Sequence, residues 1–355
     1  VLKTAHGERP WVEWDPAYAR RDPTALAKAR NDFRDSIEST RITQFLFDAQ
    51  WSQLKAHASA RGICLFGDMP IYIALDSADA WAHPEMLQIG PDGLPSAVAG
   101  VPPDYFSEDG QLWGNPLYDW EYHERTGYRW WIERMQHTMH QTHLVRIDHF
   151  RGFESFWSVP FGAETARAGE WLPGPGGALF QAMREALGSL PIVAEDLGVI
   201  TPEVDQLRHD YGLPGMVVLQ FEAGNPGFDP QAIEENSVCY TGTHDNDTTV
   251  GWFRGNGDDT RSQAEIEQAR KAVLELTGGT EETVHSDLVR LAFSSPSALA
   301  IAPLQDFLGL DSAARFNTPG TTIDNWRWRM PEQAITDQLL GWTRALVADT
   351  SRSNG

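Results

Sequence analysis

Lysine is scarce in this chain of 355 residues: four of its 28 basic residues are lysine, and 50 acidic residues outnumber the basic ones. The formal net charge is −22 and the sequence pI about 4.8. A surface this acidic repels phosphate backbones, which argues against nucleic acid as a partner. The preference for arginine reads as genome composition and carries no functional weight. Long apolar runs are also missing. None approaches the roughly 20 residues of a membrane span, so no membrane partner is expected. Cysteine is limited to Cys64 and Cys239. Both lie in apolar, strand-like runs, where small buried thiols are expected rather than a disulfide framework. With no secretory signal in view, a reducing, cytoplasmic location follows as the expectation. The sequence opens on Val1 rather than Met, which points to an upstream part.

What the chain does have is a recurring pattern of short apolar runs that end in polar groups. Six such runs stand at residues 63–68, 144–148, 191–196, 216–221, 238–245 and 299–306. Helical patterns lie between them: a long one from about Thr24 to Arg61, then Gly177–Leu187, Pro202–Tyr211 and Arg261–Thr277. Buried strands alternating with helices predict a parallel sheet. Polar groups gathered at the strand C-termini favour an α/β fold of the (β/α)8 barrel type over a doubly wound sheet. No glycine-rich phosphate fingerprint supports the latter. The whole chain, 1–355, reads as one catalytic barrel. Residues 76–125, rich in Gly, Pro, Trp, Tyr and Asp, read as an inserted loop or small subdomain over its mouth.

Three carboxylates close three of these runs: Asp148, Glu195 and Asp245. In a barrel they would converge on one mouth. Chemistry at a glycosidic bond needs a carboxylate nucleophile and a carboxylic acid that protonates the leaving oxygen. Arg146 lies two residues before Asp148, so a strand places both on one face, and the guanidinium favours an ionised Asp148. Glu195 has an apolar approach, Ile192-Val193-Ala194. Desolvation should raise its pKa and suit it to acid/base work. Asp196 would point the other way. Asp245, preceded by His244, could clamp sugar hydroxyls. For any one acidic residue at a strand end, a cap or a surface ion pair is the commoner role; three in matching positions change the balance. Many of the fourteen tryptophans sit in turn-rich segments, where indoles serve core packing or stack on sugar rings. No metal or cofactor is called for. Asp245-Asn246-Asp247 lacks the glycine and the closing glutamate of a calcium loop.

At these residues the chain resembles the amylomaltases, 4-α-glucanotransferases (disproportionating enzymes) of the α-amylase superfamily. The resemblance runs through nearly the whole sequence. It is carried by Gly67-Asp68-Met69-Pro70-Ile71-Tyr72, Gly100-Val101-Pro102-Pro103-Asp104-Tyr105-Phe106 and Leu112-Trp113-Gly114-Asn115-Pro116. It continues in Arg146-Ile147-Asp148-His149-Phe150-Arg151-Gly152, Ala194-Glu195-Asp196-Leu197-Gly198, Thr243-His244-Asp245-Asn246 and Asn317-Thr318-Pro319-Gly320. The resemblance implies that Asp148 is the nucleophile of a covalent glucosyl-enzyme, Glu195 the general acid/base and Asp245 the transition-state stabiliser. Arg146 and His244 would accompany them, with Asp68 near the donor. Tyr105 and Phe106 would lie on a loop over the cleft, and Trp113 and Asn115 would line the glucan groove. The implied partners are α-1,4-glucan donors and acceptors, including maltooligosaccharides and glucose.

The six runs match strands three to eight of such a barrel, and nothing here matches the family's first two. Either this is a fragment of a longer chain, or a truncated product. The alternatives to a transferase are an α-glucan hydrolase and a glucan-binding remnant without catalysis.

Overall fold

The computed structural model describes residues 1–103, 108–256 and 259–352. The chain divides into two compact units, Val1–Leu213 and Pro214–Gly355. Among the described residues there are ten strands: β1 (Phe66–Met69), β2 (Ala97–Val101), β3 (Gln111–Pro116), β4 (Leu144–Ile147), β5 (Ser155–Pro160), β6 (Glu170–Pro173), β7 (Ile192–Ala194), β8 (Gly215–Val218), β9 (Ser237–Tyr240) and β10 (Leu299–Ile301).

In the first unit β1, β4 and β7 form a parallel sheet in that order. Its register sets Asp68 opposite Arg146, and Ile147 opposite both Met69 and Ala194. In the second unit β9 lies between β8 and β10, again parallel. These six strands fall on the six apolar runs, though several stop early. The ends of two runs wind into short helices, Leu219–Glu222 and Leu304–Phe307.

The crossover helices are bounded by local chemistry. Gly177–Leu187 sits between Gly176 and Gly188, both at positive φ. Pro202–Asp210 starts on proline, whose missing N–H costs nothing at a helix start. Gln263–Thr277 opens with a capping box, Ser262 with Glu265, and ends on left-handed Gly278. The long helical run near the N-terminus is two helices, Pro23–Asp32 and Arg34–Ser59, which break at Phe33.

Val145, Ile147, Ile192 and Ala194 face the core of the first unit, with Trp131, Phe150, Phe153 and Phe180. The opposite face of the same strands, one residue out of phase, carries Arg146 and Val193.

One expectation needs correction. Cys64 precedes β1 and is exposed; only Cys239, in the middle of β9, is buried. The segment 76–125 shares its sheet with strands that come later in the chain. Its hairpin, β2 with β3, extends through β5 and β6 into a four-stranded antiparallel sheet. Half of that sheet comes from the connection after β4, a pairing that no local pattern records.

Candidate active site

The C-terminal ends of β1, β4 and β7 bring four of the expected residues together. Arg146 Nη1 donates to both carboxylate oxygens of Asp68 at 2.9 Å, and Nη2 donates to Asp148 Oδ1 at 2.7 Å. The guanidinium is largely buried, 11% exposed, while the two carboxylates keep about 40% of their side-chain surface. Burial opposes the arginine's charge, yet Asp68, Asp148 and Glu195 more than offset it and raise its pKa. One cation thus holds two carboxylates from adjacent strands.

Glu195 follows β7 directly. Its N–H donates to the Ile147 carbonyl at 3.0 Å, and its carbonyl accepts from the Phe150 N–H at 3.1 Å. Parallel strands lie about 4.8 Å apart. Asp148 and Glu195, the first residues after β4 and after β7, thus end neighbouring strands, and the charge of Asp148 acts on Glu195. Burial, and then the charge of Asp148, push the Glu195 carboxyl up to about 7. Arg146 and two backbone N–H donors pull against that rise. These donors are Leu197 on Oε1 at 2.9 Å and His149 on Oε2 at 2.6 Å. Asp196 points away, as alternation requires. It pairs with Arg208 at 3.2 Å, with both side chains nearly buried.

Trp113 in β3 is partly exposed and meets the ring of His149 edge-on, with centroids 4.8 Å apart. Its neighbour Asn115 spends its amide N–H on the Ile73 carbonyl at 3.0 Å, a hold on the loop after β1. Tyr105 and Phe106 lie outside the described residues.

Asp245 and His244 belong to the second unit, in the loop after β9. His244 Nε2 lies 3.5 Å from Asp245 Oδ2. Asn317 Nδ2 donates to Asp245 Oδ1 at 2.6 Å, and Arg315 donates to its carbonyl at 2.7 Å. Trp326, half-exposed, lies 5.3 Å from the His244 ring. Roles for Asn317 and Arg315 escaped the sequence reading. Asn317 sits in one of the quoted motifs, whereas Arg315 left no signal. Asp306, at the end of the sixth run, is buried and bonded to Thr241 and to the Thr249 N–H. It is a structural carboxylate.

The Glyco_hydro_77 family model, described as 4-alpha-glucanotransferase, matches residues 1–336. The 4-alpha-glucanotransferase of Synechocystis is 49% identical across 96% of this chain and 67% of its own length. That of Thermus thermophilus is 45% identical across 99% of this chain and 71% of its own. The structure of Streptococcus agalactiae amylomaltase in complex with acarbose superposes with a TM-score of 0.93 at 36% identity. The match covers 99% of this chain and 71% of that one, and it shows the α/β barrel class expected from the strand pattern. On the family match, the identities and the shared fold, the chain belongs to the 4-alpha-glucanotransferase, or amylomaltase, family.

Proposed function

We propose that the chain performs its family's 4-α-glucan transfer by a retaining double displacement centred on Asp148 and Glu195. In the first step an Asp148 oxygen attacks the anomeric carbon of an α-1,4-linked glucosyl unit. The bond to the leaving 4-oxygen breaks, and Glu195 gives that oxygen its proton. In the second step the 4-hydroxyl of an acceptor glucan attacks the same carbon, Glu195 takes its proton, and Asp148 is released. The net result is one α-1,4 bond exchanged for another.

The observation that carries this reading is the environment of Glu195. A carboxyl at about 7 is partly protonated at neutral pH and serves as an acid. Part of that elevation comes from the negative charge of Asp148. Once Asp148 is esterified that charge is gone, so Glu195 becomes more acidic as the step that needs a base begins. Arg146 supports the same division of labour by stabilising Asp148 as an anion. Asp68 on the other side of Arg146 is suited to donor hydroxyls. Asp245, with His244, enters as the transition-state stabiliser on the strength of its motif, as do Trp113 and Asn115 as groove residues. The substrates are α-1,4-glucans and maltooligosaccharides, with glucose among the acceptors.

Incubation with maltotriose tests the reading. A ladder of longer and shorter oligosaccharides with free glucose is expected, and Asp148→Asn should abolish it. Only shorter products would mean hydrolysis, and saccharide binding without turnover would mean a binding module. Transfer further requires that water be kept from the intermediate. The segment 101–115 is our candidate for that lid, so Tyr105→Ala should lower the ratio of transfer to hydrolysis.

A further inference from the structure

The residue after the proposed nucleophile is folded at a cost. His149 has φ 53° and ψ 50°, a left-handed conformation that is uncommon outside glycine, although asparagine, aspartate and histidine take it more readily than other residues. Its imidazole is partly buried, with Nε2 shut off from solvent. Burial, helped by Arg151, pushes its pKa down to about 3, so the ring is neutral. Among the described residues its Nε2 has no hydrogen-bond partner. Two unfavourable features at one position persist only where the surroundings impose them, and such positions cluster at functional sites.

The surroundings that impose them are visible. The ring is wedged beside Trp113. Gly152, whose N–H donates to the His149 carbonyl at 3.0 Å, has no room for a side chain. A Cβ there would stand 2.8 Å from Ile71 Cδ1 and 3.2 Å from the His149 ring. The product of this turn is a single contact: the His149 N–H reaches across from the end of β4 to Glu195 Oε2 at 2.6 Å. In an extended continuation of β4 that N–H would follow the ladder instead. Leu197 holds the other oxygen.

We propose that His149 is a positioning residue for the reaction: its left-handed backbone aims its amide N–H at Glu195 and holds that carboxyl in place beside the nucleophile. The inference rests on the reading of Glu195 as the acid/base. The charged groups acting on Glu195 are Asp148 and Arg146, and Arg146 also binds Asp68. Against that constant background the amide of residue 149 is a contact that substitution of residue 149 can disturb without altering any charge.

The test is a series at one position: His149→Gly, His149→Asn, His149→Ala and His149→Val, with kcat/KM for maltotriose followed against pH. Glycine and asparagine accept the left-handed conformation, alanine strains in it and a β-branched valine resists it. The descending limb of the profile reports loss of the acid's proton. Glycine and asparagine are expected to leave that limb close to its wild-type position. Valine should move it upward by about one pH unit, the worth of a lost charge-assisted hydrogen bond, with alanine between. Should valine fail to fold, as judged by circular dichroism, the alanine-to-glycine comparison carries the same prediction. A limb that stays put through the folded members of the series would overturn the proposal. So would a limb that moves equally in glycine and valine, because the ring rather than the backbone would then be responsible. Glu195→Gln separates this from the parent reading. If its descending limb survives, the limb was never Glu195's and that reading fails. If the limb vanishes in Glu195→Gln yet ignores the backbone series, only the role of His149 fails.

Discussion

The two faces of the sheet β1-β4-β7 use the same chain for opposite purposes. On the core face, Ile147, Ile192 and Ala194 are closed in by aromatic and aliphatic side chains, and Asp196 beyond them is neutralised by Arg208. On the other face, Asp68, Asp148 and Glu195 share one guanidinium. That leaves more carboxylate than cation, and burial first, then the charge of Asp148, lifts the proton affinity of Glu195. The difference teaches how adjacent residues divide. Glu195 and Asp196 are chain neighbours, both acidic and both withdrawn from water. One is paired to satisfaction and serves stability; the other is left under tension and suits chemistry.

The sharpest way to break this contrast is to neutralise the two neighbours separately. Glu195→Gln should lower kcat for maltotriose disproportionation by about 10²- to 10⁴-fold, the range of acid/base contributions. It should not destabilise the fold. Glu195 binds its proton up to about pH 7 when folded, against 4.5 in its ordinary state. The folded protein therefore holds more protons between those values, and its stability falls as pH rises through that window. Above pH 7 the buried charge costs on the order of 3 kcal/mol. Glu195→Gln should accordingly raise Tm at pH 8 and change it little at pH 4. Asp196→Ala should do the reverse, costing about 3–5 kcal/mol by leaving Arg208 buried without its partner. Its kcat per folded molecule should stay near wild type; denaturant melts alongside activity assays would measure both.

A smaller effect is expected from Arg146→Lys. A lysine keeps the charge but cannot span Asp68 and Asp148 at once as the guanidinium fork does. A loss of roughly ten- to a hundredfold in kcat, equivalent to about 1.4–2.7 kcal/mol, should appear with the ascending limb of the pH profile moved upward. The smallest effect belongs to the second unit, where the contact on Asp245 comes from a neutral amide. Asn317→Ala should cost about 1 kcal/mol, or some fivefold in kcat/KM. A loss as large as that of Glu195→Gln would show that Asp245 depends on that contact as much as the first unit depends on charge.

Much of this was legible in the residues. The six apolar runs mark the six parallel strands, because a buried strand must be apolar where it is covered and polar where it emerges. Gly177–Leu187 has the predicted bounds, since glycine flanks it on both sides. The alternation that put Arg146 with Asp148, and Glu195 opposite to Asp196, holds. Other features were not legible. Arg146 was paired with its near neighbour Asp148, but its fork also grips Asp68, 78 residues away. The pairing of the insertion after β1 with β5 and β6 left no mark in the local pattern. Cys64, near the start of an apolar run, is exposed among the described residues.

The sequence by itself determined the fold class and the strand faces on which Arg146, Glu195 and Asp196 lie, because periodicity and side-chain chemistry are local properties. Only the tertiary structure decided which carboxylates share a cation, that burial raises the pKa of Glu195, and which backbone N–H holds it. Those depend on burial and on contacts between residues far apart in the chain, and local pattern carries no record of either.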